Sequence, residues 1–233
     1  MENSEAAAPE RPRRTGRPAE VLRAAWASAL LALPFQIGFI VLTVVFSLLG
    51  LRTDMIVAVL LVPALWVPAI AQIVFRTVVP RALQLHFLIF MTAGPFAGSA
   101  LGVYGYIPHW DKLVHFDSGI MLAWAGWLAV RRVEEHVDIV LPRWFSLTIG
   151  ILTPMAFAAA WEICEFTSDH LFGTHAQNGN TDTMGDIIAA TVGAVITLGF
   201  TLIWKWPRSV MPQALLSPER RPARTAAGAA HTE

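Results

Sequence analysis

Cysteine is almost missing from this chain: Cys164 is the single one in 233 residues. A lone thiol excludes an internal disulfide and any thiolate-rich zinc site, so Cys164 reads as a small apolar packing residue. Charge is also scarce. Only 15% of residues are Asp, Glu, Lys or Arg, and the formal net charge is +0. A chain without bulk charge has nothing with which to attract nucleic acid as a whole. What is present is apolar, with 55% hydrophobic residues and a mean hydropathy of +0.53. That composition belongs to an all-α membrane protein whose partner is the lipid bilayer.

Arg11, Arg13, Arg14 and Arg17 precede an apolar run that starts near Ala24, which superficially resembles a targeting peptide. The run continues to about Gly50, well past the roughly 7 to 15 residues of a secretory apolar region, and lacks a convincing small-residue cleavage site. It therefore reads as a first membrane span. Further spans are predicted at about Ile56 to Phe75, Ala82 to Tyr104, Leu113 to Val130, Trp144 to Phe166 and Asp186 to Trp204. Each approaches the roughly 20 residues that cross the hydrocarbon core at about 1.5 Å per residue. Pro34, Pro63, Pro68, Pro95 and Pro154 fall inside spans and are read as kinks rather than breaks. The expected architecture is a polytopic bundle of six transmembrane helices over residues 21–206, with disordered cytoplasmic tails at 1–20 and 207–233.

The basic residues give the orientation. Arg11, Arg13, Arg14, Arg17, Arg23, Arg76, Arg81, Arg131, Arg132, Arg143, Lys205, Arg208, Arg220, Arg221 and Arg224 fall on one side of the six spans; only Arg52 and Lys112, of the 17 Lys and Arg, fall on the other. The positive-inside rule then predicts both termini in the cytoplasm. Trp110, Trp144, Trp204 and Trp206 fall at the expected interfaces, as in an aromatic belt. Gly94, Gly98 and Gly102, and Ala189 with Gly193, form small-residue stripes that allow close helix approach, within the bundle or in a homo-oligomer.

Ionisable residues gather at the outer ends of the last three spans. Asp111 and His115 open the fourth, Glu162 and Glu165 close the fifth with Asp169 just beyond, and Asp182 and Asp186 open the sixth. Within each segment the spacing is helical, so each set shares a face. Asp111 and Asp182 suit the positive end of a helix dipole, whereas Glu162, Glu165 and Asp169 meet the unfavourable end. Converging carboxylates with so few cations must hold protons, pair with an imidazolium at His115, or bind a metal. Asp111, His115, Glu162, Glu165, Asp182 and Asp186 are candidate ligands for a hard or borderline divalent cation such as Mg, Mn, Ca or Zn. A hydrogen-bonded structural network and a proton or ion pathway stay open beside that reading. Asp117 lies about 240° round the wheel from Asp111 and is left out. His86 reads as a packing histidine, while His109, His170 and His175 could cover the site. The stretch from Thr167 to Thr181 has the composition of a loop.

These residues resemble the YjdF-like integral membrane proteins, a family of unknown function. The shared pattern is Asp111 with His115-Phe116, Glu162 with Glu165, and Asp182-Thr183 with Asp186 and Gly193. A remoter similarity, through Asp111-Lys112 and His115, is to VanZ-like membrane proteins. The resemblance implies a bacterial plasma-membrane location and supports the site without naming a reaction.

Three functions fit. In the first, a metal-assisted membrane hydrolase or lipid-modifying enzyme uses Glu165 as general base. In the second, an ion- or proton-coupled transporter uses the carboxylates, although no internal repeat is visible. In the third, the cluster ties helices together in a structural or binding protein of the envelope.

Overall fold

The computed structural model describes residues 18–50, 55–173 and 176–203. The two tails, and with them Trp204, Trp206, Arg52 and His175, lie outside the described residues. All regular structure among the described residues is helical. The elements are α1 (Pro18–Leu48), α2 (Met55–Ala64), α3 (Val67–Val74), α4 (Arg81–Met91), a π-helical stretch (Thr92–Ala100), a short 3-10 turn (Val103–Gly105), α5 (Trp110–Val137), α6 (Arg143–Phe172) and α7 (Asn180–Ile203).

Among the described residues, five helical stretches are long and apolar enough to cross a membrane: Pro18–Leu48, Val57–Val74, Trp110–Val137, Arg143–Leu171 and Asn180–Ile203. The remaining predicted span, Ala82 to Tyr104, is not one continuous α-helix. Its α-helical part has 11 residues, or about 16 Å. Pro95 lacks an N–H and its ring crowds the preceding turn, and from Thr92 the backbone widens into π geometry. Gly102 sits beyond the helix at φ 76, in a left-handed turn, so it does not extend the stripe of Gly94 and Gly98.

Prolines act differently elsewhere. Pro34 and Pro154 lie within uninterrupted helices. Between α2 and α3 the chain turns at Leu65–Trp66, where the Trp66 amide bonds to Pro63 O at 3.0 Å. Val62 O is left without its α-helical donor and accepts Gln36 Nε2 of α1 at 2.8 Å instead. Buried backbone must be satisfied in this way, since lipid offers no donors.

α1, α2, α4 and the π stretch enclose an apolar core of Ala32, Phe39, Ala58, Leu61, Leu65, Leu88, Met91, Phe96 and Ala100. Phe39 and Phe96 stack with centroids 3.9 Å apart. Beside it, Gln72 is fully buried (0% exposed). Its Nε2 donates to Ser28 Oγ at 2.6 Å, and its Oε1 accepts the Val79 amide at 3.2 Å. Ser28 in turn donates to Gln84 Oε1 at 2.8 Å, and Gln84 Nε2 donates to Val79 O at 2.7 Å. These neutral side chains tie α1, α3 and α4 together and satisfy the nonhelical segment that precedes α4.

The second group of helices, α5, α6 and α7, packs mutually and joins the first through α4 and the π stretch. α5 and α7 run in the same direction and cross at glycine. A Cβ on Gly119 would lie 2.0 Å from Ala190 O, and one on Gly193 would lie 2.1 Å from Phe116 O. Backbone therefore touches backbone there, which only glycine allows. The seam uses Gly193 with Ala190, the neighbour of the expected Ala189. Gly94 and Gly98 are likewise consumed inside the chain, facing Val114 and the Tyr104 ring. Cys164, expected to be packed, is exposed.

Candidate functional site

The glycine crossing of α5 and α7 sets the site. One turn before it on each helix stand His115 and Asp186, and a further turn back stand Asp111 and Asp182. Asp111 and Asp182 lie in first turns, where the helix dipole favours an anion by about 0.3 to 1 kcal/mol. Asp186 is 2% exposed and His115 8% exposed. His115 Nε2 lies 3.7 Å from Asp111 Oδ1 and 3.8 Å from Asp186 Oδ1. One ligand atom from each of Asp111, His115 and Asp186 falls within 4.8 Å of the others, a spacing that a single metal ion could bridge.

Lys112, in sequence a rare outer cation and part of the Asp111-Lys112 pair with His115, stands at the centre of the cluster in the fold. Its Nζ donates to Asp186 Oδ1 at 2.8 Å, to Asp111 Oδ2 at 3.3 Å and to Asp182 O at 3.3 Å, and also bonds to Asp182 Oδ1. Its stem passes over Gly185, where an added Cβ would sit 3.0 Å from Lys112 Cε. The signal for this role was available: Lys112 is one of two lysines, with Lys205, in a chain that otherwise uses arginine. A compact ammonium fits among three carboxylates where a planar guanidinium would not.

From α6 comes Glu162, 4% exposed. Its Oε1 is buried and has no hydrogen-bond partner among the described residues. Glu162 acts electrostatically on His115 and on Glu165, from outside the group of Asp111, His115 and Asp186. Glu165 is half-buried, accepts Trp161 Nε1 at 2.8 Å, and lies in the field of Glu162, Asp111 and Asp186. Asp182 is also hydrogen-bonded by the Asn178 side chain.

Tyr104 was missed in the sequence. Its ring lies over Gly98, where a Cβ would meet ring carbons at 2.3 to 2.6 Å, and it feels the charges of Asp111, Glu165 and Asp186. The bare glycine on the wide π turn makes room for that ring. Trp110, whose indole was expected in an aromatic belt, donates to Ala93 O at 2.9 Å and pins the start of α5 to the π stretch.

Other expected residues do not join. α6 runs on to Phe172, so Thr167 to Phe172 is helix rather than loop. Asp169 turns away to accept the amides of Ala176 and Gln177 at 2.8 and 3.0 Å, fastening the α6–α7 connection. His170 is exposed and leans on Phe166, and His109 is exposed in a left-handed N-cap at φ 61. On the other face of α5, Asp117 meets His86 of α4 at 2.8 Å, a pairing that neither helix reveals alone.

Comparison with known proteins adds family membership and no reaction. Residues 31–206 match the family described as a predicted membrane protein (DUF2238), a stretch that contains every residue of the cluster. An uncharacterized protein of Thermotoga maritima is 23% identical over 133 residues, covering 55% of this chain and 68% of that protein. No solved structure matches. The match spans well over half of the sequence, and the chain belongs to the DUF2238 family of predicted membrane proteins.

Proposed function

We propose that the chain spans a bacterial plasma membrane six times with both termini in the cytoplasm, and that its outward end carries a divalent-metal site serving a membrane hydrolase or lipid-modifying enzyme. The sixth span in this reading is α4 together with the π stretch, Arg81 to Ala100. The orientation rests on charge. Among the described residues Arg23, Arg76, Arg81, Arg131, Arg132 and Arg143 lie at or near one end, and Lys112 is the one Lys or Arg at the other.

The observation that carries the metal reading is the triad Asp111, His115 and Asp186 beside the buried, unpartnered Oε1 of Glu162. An isolated carboxylate oxygen in a nonpolar interior is costly, and a coordinated cation would offset that cost. Two carboxylates and an imidazole suit Mn or Zn, and three protein ligands leave a position for water. Glu162 is not among the three residues whose ligand atoms already lie together, and its carboxylate would have to swing toward the ion to become a fourth ligand. In this reading Glu165 would take a proton from that water and Tyr104 would donate to a developing negative charge. Asp182, anchored to Lys112 and Asn178, supports the site rather than coordinating.

Elemental analysis of protein purified without chelators tests this. The wild type should retain a divalent metal, His115→Ala should lose it, and Glu165→Gln should keep it. Metal-free wild type, indifferent to added divalent ions, would overturn the reading. Accessible tags at either terminus should report from the cytoplasm and one at Gly173 from outside; an external terminus would overturn the orientation.

A second reading has its own observation. The Lys112 ammonium joins α5 to α7 through Asp111, Asp182 and Asp186, which would suffice for a structural network. The VanZ-like resemblance, resting on Asp111-Lys112 and His115, favours neither reading.

A further inference from the structure

Lys112 and a metal would compete for the same oxygen. Asp186 Oδ1 accepts Lys112 Nζ at 2.8 Å and faces His115 Nε2 at 3.8 Å. A dication held by Asp111, His115 and Asp186 would bring two cations together on one carboxylate, a repulsion strengthened by low dielectric. The lysine has an alternative anchor. It already reaches the side chain and the main-chain carbonyl of Asp182, four residues before Asp186 and outside the triad. Gly185, between the two, leaves the lysine stem free to lie across α7.

We propose that Lys112 is an intrinsic occupant of the cation site, which a divalent ion displaces from Asp186 and Asp111 toward Asp182, so that Lys112 sets the site's affinity. This rests on the metal reading above. The acidic residues alone would not carry it; beside them Glu162, whose charge acts on His115, keeps a buried Oε1 that neither the ammonium nor any other group bonds among the described residues. Lys112 reaches Asp111, Asp182 and Asp186 but makes no hydrogen bond to Glu162 among the described residues. A metal coordinated by His115 would engage an imidazole the lysine does not bond, and would bring positive charge toward Glu162. The arrangement is an exchange of one bound cation for another, with no net uncovering of carboxylate charge.

The probe is Mn²⁺ alone, titrated into the full chain in detergent and followed by electron paramagnetic resonance. Lys112→Met keeps the stem and removes the charge; it should bind Mn²⁺ at least tenfold more tightly than wild type. Lys112→Gln, which keeps a hydrogen-bond donor, should also gain affinity and serves if Lys112→Met does not fold. Lys112→Arg should not gain. Asp182→Asn removes the alternative anchor and should weaken Mn²⁺ binding several-fold in the wild type, but have no such effect in the Lys112→Gln background, because the two residues act as one device. Wild-type binding with no gain in either neutral variant would overturn the competition and leave the metal site standing. Absence of binding in wild type and in both neutral variants would overturn the metal reading and this proposal with it.

Discussion

In the α1–α4 half of the bundle the buried polar groups are neutral. Ser28, Gln72 and Gln84 donate and accept in a chain that also takes up the Val79 backbone. In the α5–α7 half His115, Glu162 and Asp186 are buried ionisable groups beside the neutral Ser118, and Glu162 Oε1, like Trp124 Nε1, has no partner among the described residues. The neutral group joins three helices by hydrogen bonds and the charged one joins two, so tying helices together does not require charge. A neutral network costs little to bury once satisfied, whereas ionised groups at such depth are expensive and incompletely compensated. The difference suggests that the first cluster exists for the fold and the second for a ligand.

The largest expected effect comes from breaking the crossing that assembles the charged half. Gly119→Ala or Gly193→Ala would place a methyl about 2 Å from a backbone oxygen, which cannot swing aside as a side chain could. A loss of about 3 kcal/mol or more, or failure to fold, is expected. Gly38→Ala and Gly199→Ala meet nothing within 4 Å and should be neutral or gain about 0.5 to 1 kcal/mol. Thermal melting in detergent compares the four; equal losses would remove the crossing from the account.

Next in size is the neutral network. Gln72→Leu strands the Val79 amide and removes the donor to Ser28 Oγ, which keeps its bond to Gln84, and should cost about 1 to 3 kcal/mol. The loss should be the same with and without Mn²⁺, since nothing in that network faces the triad. A metal-dependent loss would join the two clusters that are here held separate.

The smallest effect expected is at Tyr104. Tyr104→Phe keeps the ring over Gly98 and should change the melting free energy by less than about 1 kcal/mol, whereas Gly98→Ala must displace the ring and should cost more. Equal costs would mean that the hydroxyl, not the ring, holds the outer turn.

Long apolar runs made the helical class and most of the spans legible in the sequence, because the length of a membrane-crossing helix is set by the bilayer. Helical spacing also picked out Asp111, His115 and Asp186, which the fold brings together. Glu162, Glu165 and Asp169 all lie on α6 as their spacing implies, but Asp169 bonds the Ala176 and Gln177 amides, which helical spacing alone does not reveal. The π stretch escaped because Pro95 among glycines and alanines reads equally as a kink. Lys112 escaped for a different reason: one residue from Asp111, it belongs on another face by wheel geometry, and only its four-carbon stem returns the ammonium to the site. Tyr104 and the His86–Asp117 pair depend on how separate segments pack, which no local pattern encodes.

The claim that the charged half serves a ligand is tested most directly by the melting temperature of chelator-treated full-length protein with and without Mn²⁺. A ligand that binds only the folded state stabilises it by about 2.7 kcal/mol at a concentration of 100 Kd. The account predicts a rise of several degrees in wild type that is absent in His115→Ala. An unchanged melting temperature in wild type, or an equal rise in His115→Ala, would contradict it.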